Sequence, residues 1–353
     1  MDRHFSRDAD DILADLGELN ARFAGKRILL TGAAGFLGVQ FVHFFLRLNA
    51  SGRLSSPCHL TAMDNYIRGV PAWLEGLKDR PDLRLQTADI VPTRKFEQAD
   101  FIIHAASIAS PTFYRKFPIE TMDANTTGLR NLLDHAAEHR PEGFLYFSTS
   151  EIYGDPDAAH IPTPETYRGN VSCTGPRACY DESKRFGETL CVNFARIRQV
   201  PVTIARPFNN YGPGLRLSDR RVLPDFFRDA LANRDIVLLS DGRATRTFCY
   251  ISDAVSGYLR ILLRGAPGES YNIGTEKPEI SMRDLAGLVI KVTAASGRVV
   301  HRPSEDRDYL TDNPQRRCPV IAKASADLGY APQVGLEEGL RRSFAYYRDH
   351  ADE

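Results

Sequence analysis

Several things are scarce in this chain of 353 residues, and each scarcity excludes something. There is no surplus of charge: 45 Lys+Arg stand against 45 Asp+Glu, whereas electrostatic capture of nucleic acid calls for a basic domain. Six cysteines, at 58, 173, 179, 191, 249 and 318, include no CxxC pair and no regular framework. That pattern suits free thiols in a reducing compartment rather than a disulfide scaffold. The first 24 residues are rich in Asp and Arg and lack the apolar core of a secretory leader, so a cytoplasmic location is the expectation. Ile28 to Leu46 is the longest stretch without Asp, Glu, Lys or Arg, but Gly32, Gly35, Gly38, Gln40 and His43 interrupt it. It reads as a strand, a turn and a helix, not as a membrane span. What remains is ordinary globular composition, 42% apolar and 25% charged, long enough to bury a large core without staples.

Ile12, Leu16, Leu19 and Phe23 form an apolar helical stripe, which makes residues 1–25 a helical extension packed on its own domain or, alternatively, a dimer contact. From Lys26 onward short apolar runs (Arg27 to Thr31, His59 to Asp64, Leu83 to Gln86, Phe101 to His104, Phe144 to Ser148, Val202 to Ala205) alternate with helical stretches. Alternation of this kind builds βαβ units and a doubly wound parallel sheet. The expected fold is therefore an α/β Rossmann architecture with a smaller, interrupted C-terminal lobe. The sheet domain is expected over 26–206 plus about 247–265, and the lobe over about 207–246 plus 266–353.

Thr31-Gly32-Ala33-Ala34-Gly35-Phe36-Leu37-Gly38 follows the first strand and opens a helix. Gly32 permits the tight turn, Gly35 lets backbone amides approach a pyrophosphate, and Gly38 brings helix and sheet together. The second strand ends at Asp64, a carboxylate that can accept from both ribose hydroxyls and repel a 2′-phosphate, which favours NAD over NADP; Arg68 close by weakens that preference. Ala88-Asp89-Ile90 and His104-Ala105-Ala106-Ser107 end the next two strands, where open sheets bind ligands; Asp89 is either an adenine acceptor or a turn residue. Tyr180 and Lys184 stand four apart on one helix face. A nearby ammonium favours phenolate, so Lys184 is expected to draw the Tyr180 pKa down toward neutrality.

Gly32-x-x-Gly35-x-x-Gly38, Ser148-Thr149-Ser150 and Tyr180-x-x-x-Lys184 together resemble the extended short-chain dehydrogenase/reductases that act on nucleotide sugars, from about Lys26 to about Tyr347. Within that family Ala106–Pro111, Ser148–Pro156, Gly175–Glu182 and Asp312–Arg317 resemble the UDP-glucuronate decarboxylases. The resemblance implies NAD lying against Gly32, Gly35, Phe36, Leu37, Gly38, Asp64, Asn65, Asp89, Ile90, Ala105, Ala106, Ser107, Tyr180, Lys184 and Pro207. It implies catalysis by Tyr180, Lys184, Thr149, Ser150 and Glu151 through a transient 4-keto sugar. It also implies a nucleotide-sugar site with Asn209, Arg221, Arg246 and Arg317, and a homodimer formed through the helices bearing 120–139 and 180–198. No metal, nucleic acid or membrane partner is called for. Glu151 favours decarboxylation over simple 4-epimerisation, and Ser150, where related dehydratases carry Asp, argues against water elimination. Asp123 occupies a position that is usually basic and near the sugar; a carboxylate there repels a uronate unless another cation compensates. A redox-neutral epimerase or pyranose–furanose mutase of a neutral sugar nucleotide therefore stays open. So does a non-catalytic NAD-binding regulator, although such a protein has little use for the acid–base groups.

Overall fold

The computed structural model describes residues 2–304, 311 and 313–351; Asp312 of the motif above lies outside the described residues. Strands β1 (Arg27–Thr31), β2 (His59–Asp64), β3 (Leu83–Thr87), β4 (Phe101–His104), β5 (Gly143–Phe147), β6 (Val202–Pro207) and β7 (Ser270–Ile273) form one sheet in the order β7-β6-β5-β4-β1-β2-β3. Every pairing in it is parallel. The order reverses between β1 and β4, which opens a crevice at the carboxyl ends of those strands. β4 and β5 are buried along their whole length, as expected of strands covered on both faces.

β7 corrects the expected division of the chain. It pairs with β6 from Ser270↔Ile204 to Ile273↔Pro207, so the second sheet segment runs on to Ile273 instead of stopping near 265. A helix over Ile251–Arg264 packs against β5 and β6. Small two- and three-stranded sheets between 210 and 317 accompany the interrupted lobe.

The N-terminal helix α1 (Arg3–Leu16) is capped by Asp2, whose side chain accepts from the amides of His4 and Phe5. It ends at Gly17, φ 53°, and the chain goes on to Phe23 as a 3₁₀ segment, so the apolar stripe is not one continuous α-helix. Phe5, Ile12, Leu13, Leu16 and Phe23 are all buried within the protomer. α1 packs on α2 (Phe36–Ala50) and on the 251–264 helix, so its apolar stripe is covered within the protomer.

Candidate active site

A cleft of about 1560 Å³ runs from the glycine turn to Arg246 and Arg317. At its near end Gly32 has φ 77°, and a Cβ there would fall 2.5 Å from the Ala106 nitrogen. A Cβ on Gly38 would lie 2.1 Å from the Gly32 carbonyl oxygen. Both positions thus need glycine for close backbone approach. Gly35 differs: its Cβ would meet only the Gly32 oxygen, at 3.2 Å, so its freedom serves the space in front of the turn. Asp64 accepts from the Ala34 amide at 3.0 Å and the Tyr66 amide at 2.7 Å, and burial raises its pKa against those hydrogen bonds. Asp89 serves the turn that follows its strand. Its carboxylate caps the Val91 amide at 2.8 Å and also accepts from Asn65 Nδ2 at 2.9 Å, beside the cleft.

Arg68, the residue that weakened the NAD preference, is committed elsewhere: its guanidinium pairs with Asp219 at 2.5 Å and sits 4.3 Å over the Phe113 ring. At the carboxyl ends of β4 and β5, Ser107 Oγ and Ser148 Oγ are buried with no hydrogen-bond partner among the described residues. Orphan hydroxyls at strand ends, beside a turn with no room for a Cβ, fit a dinucleotide held there. Phe36, Leu37, Ile90, Ala105 and Pro207 line the same cleft.

Tyr180 lies on α4 (Ala178–Arg198), with α3 (Leu129–His139) preceding it in the chain. Its ring stacks on Tyr114, centroids 5.1 Å apart, and the Thr149 side chain favours its phenolate, though burial outweighs that. Thr149 in turn caps the short turn that follows β5, its Oγ1 accepting from the Glu151 amide at 3.2 Å. Ser150 is buried in that turn. Lys184 is buried as well, but its Nζ donates to the Phe147 carbonyl at 2.7 Å and stands 5.8 Å from the centre of the Tyr180 ring. The expected drop in the Tyr180 pKa is therefore reversed in the free protein. Burial lifts the phenol to about 12 and depresses the lysine to about 7, because taking either charge out of water costs more than the pair recovers at that separation.

Beyond Tyr180 the cleft becomes cationic. Arg317 grips both Glu151 oxygens, Nη2 to Oε2 at 2.7 Å, and Arg177 Nη2 donates to the same Oε2. Burial alone would raise the Glu151 pKa; Arg177, Arg317 and, behind them, Arg246 outweigh it and hold the carboxylate at about 2. Arg246 donates to the carbonyls of Thr245 and Gln315 at 2.7 and 3.1 Å. Burial and the neighbouring Arg317 lower its pKa to about 9. Arg177 is absent from the expected site; it stands three residues before Tyr180 in the quoted Gly175–Glu182 stretch, and that helical spacing was the available signal. Asn209 takes a left-handed φ of 42° and donates to the Thr247 carbonyl at 2.8 Å. Arg221 reaches the Ala109 carbonyl at 2.9 Å. Asp123 is exposed at the end of a short helix on the cleft wall and forms no ion pair among the described residues.

A doubly wound parallel sheet, a glycine turn at its crevice and a Tyr–Lys pair on a helix beside it define an NAD-dependent enzyme of the extended short-chain dehydrogenase/reductase class. More particularly, the chain belongs to the NAD dependent epimerase/dehydratase family, whose model matches residues 28–274. It is 38% identical to UDP-glucuronic acid decarboxylase 1 of Xenopus tropicalis over 323 residues, 92% of this chain and 72% of the relative. It is 36% identical to UDP-glucuronic acid decarboxylase 3 of Arabidopsis thaliana over 91% of this chain and 89% of the relative. Among solved structures it resembles UDP-glucose 4-epimerase of Thermotoga maritima with UDP-glucose (TM-score 0.79, 25% identity, covering 92% and 99% of the two chains). It also resembles the dTDP-glucose 4,6-dehydratase DesIV of Streptomyces venezuelae with NAD and TYD bound (TM-score 0.78, 26% identity, 92% and 98%).

Proposed function

We propose that this enzyme decarboxylates a nucleoside diphosphate glucuronate, UDP-glucuronate first among the candidates, to the corresponding pentose. The observation that carries this reading is the charge count at the inner end of the cleft. Three guanidinium groups, Arg177, Arg246 and Arg317, face Glu151, and the buried Asp181 carboxylate lies 3.7 Å from Arg177, which leaves an excess of one positive charge in a buried place. A uronate carboxylate cancels that excess, whereas a neutral sugar leaves it desolvated and uncompensated. The same cluster supplies the cations that Asp123 makes necessary.

Bound NAD supplies reversible two-electron oxidation at C4, which no side chain here can. Tyr180, aligned by Thr149, takes the proton of the 4-hydroxyl, with Lys184 beside it. Once C4 is a ketone the C6 carboxylate is β to it. The C5–C6 bond breaks, carbon dioxide leaves, and the electron pair passes to the C4 oxygen as an enolate. Glu151, held ionised, has no proton to give at neutral pH, so its part is electrostatic and orienting, and C5 takes its proton from solvent. Reduction of the ketone completes the cycle. Asn209 and Arg221 bind the nucleotide end, and the segments 207–246 and 274–353 form the lobe that carries it.

The test is incubation with UDP-, dTDP- and GDP-glucuronate and NAD in D2O, following carbon dioxide and the product by NMR. A pentose carrying one deuterium at C5 is expected; no turnover of any uronate overturns the reading. The free thiols support a cytoplasmic setting. Among the described residues no helix is long and apolar enough to cross a membrane. We also infer a homodimer: Phe186 and Ile197, 51% and 66% exposed, share one side of α4, and Ile119, 60% exposed, lies on the short helix packed against it. A second copy is the partner that such a face fits.

A further inference from the structure

Arg177 has a geometry that neutralising Glu151 does not explain. Arg317 already meets both carboxylate oxygens as a two-pronged fork. Arg177 adds a third donor, on the oxygen that Arg317 Nη2 also meets. What distinguishes it is where it comes from. It is the residue immediately before α4, and its carbonyl accepts from the amides of Tyr180 at 3.0 Å and Asp181 at 3.1 Å. Its Nε lies 3.7 Å from the Asp181 carboxylate, and only 13% of its side chain is exposed, against 17% for Glu151. Its side chain caps nothing on the helix. One residue thus starts the backbone turn that carries the phenol and, with its side chain, grips the carboxylate set after β5.

Resting on the uronate reading above, we propose that Arg177 is a positioning residue for the decarboxylation step, holding the Glu151 carboxylate ionised and in register with the Tyr180 hydroxyl so that C5 and C4 are met together. Arg317 supplies most of the hydrogen bonding, and Arg177 supplies the alignment.

The experiment compares wild type, Arg177→Gln, Arg177→Lys, Glu151→Gln and the Arg177→Gln/Glu151→Gln double variant on UDP-glucuronate with NAD. In Arg177→Gln, kcat for carbon dioxide release is expected to fall by about 10²-fold with KM changed less than about threefold. Oxidation at C4, read at 340 nm in a single turnover, persists. With one cation gone the carboxyl binds its proton more readily, so the acid limb of the Glu151 carboxyl's own titration moves up by about one pH unit or more; in Arg177→Lys, which keeps the charge, it stays. In the Glu151→Gln background Arg177→Gln costs less than about threefold, because there is no carboxylate left to position.

A limb that does not move in Arg177→Gln, or losses that multiply in the double variant, overturns the proposal. Should Arg177→Gln fail to fold, Arg177→Lys decides: a loss as large as that of Glu151→Gln, or a shifted limb, overturns it. Wild type that turns over no uronate defeats the parent reading, and the proposal with it; turnover by wild type with an unmoved limb in the glutamine variant defeats the proposal alone. Titration of the ¹³C-labelled Glu151 carboxyl in the substrate-free protein reads the same coupling without turnover, and an equal midpoint in wild type and Arg177→Gln likewise overturns it.

Discussion

Tyr180 is the residue at which charge, burial and geometry pull hardest against one another. In the free protein its hydroxyl is a proton holder, lifted to about 12 by burial, yet the chemistry asks it to accept a proton. Oxidised NAD brings a positive charge into the same cleft, whereas reduced NAD brings none at the nicotinamide. Titration of the phenol followed at 295 nm is therefore expected to shift downward when NAD⁺ is added and not when NADH is; equal midpoints in the two would refute this. Tyr180→Phe should lose at least about 10³-fold in turnover while binding NAD as before, checked by calorimetry. Glu151→Gln should form NADH from UDP-glucuronate and release carbon dioxide about 10²-fold more slowly, which rapid mixing at 340 nm separates. At this scale the sequence was legible in part. Tyr180, Lys184 and Glu151 stand out by spacing and motif, but the direction of the tyrosine shift does not. Four residues along a helix place two side chains on one face, and only the fold shows that the Lys184 ammonium is spent on the Phe147 carbonyl.

Single elements carry the next level of organisation. The start of α2 touches the turn so closely that a methyl on Gly38 would collide with the Gly32 carbonyl at 2.1 Å. Gly38→Ala is expected to lower both the melting temperature and NAD affinity, whereas a change at Gly35, whose Cβ finds only a 3.2 Å contact, should spare the fold and act on affinity alone. Scanning calorimetry with NAD titration distinguishes the two. On α4 a charge at the exposed ring, Phe186→Glu, should convert a dimer to a monomer in light scattering; an unchanged mass would place the interface elsewhere. The strands from β1 to β6 could be read from their apolar runs within a residue or two. β7 could not: four residues, Ser270 to Ile273, sit between Gly268 and Gly274 and are too short for periodicity to register. The stripe from Ile12 to Phe23 misled in the opposite way, since Gly17 lets the chain keep its apolar side while leaving the α-helix.

At the scale of the whole molecule, α1 is bound to distant parts of the chain by charge. Arg342 pairs with Asp11 at 2.5 Å and Arg260 with Asp15 at 3.1 Å. Asp8, buried, accepts from the Tyr250 hydroxyl at 3.0 Å, and burial lifts its pKa from 3.8 to about 7 despite that bond and Arg342. Between those two values the folded protein holds a proton that the unfolded chain has released. Stability therefore falls as pH rises through that window, and the penalty is complete above about 7. Asp8→Asn, which can still accept from Tyr250, should flatten the dependence of melting temperature on pH between 5 and 8 and melt higher than wild type at the alkaline end. A parallel profile for the two proteins would count against this account.

The late arrival of β7 bears on how the chain is made. A ribosome finishes β6 more than sixty residues before it finishes β7, so the nascent sheet waits with one border bare while the intervening lobe emerges. An exposed border of that kind is where strands from neighbouring polypeptides attach. Gene products ending near residue 265 would keep it open permanently, and they should accumulate in inclusion bodies even though every glycine of the dinucleotide turn is intact.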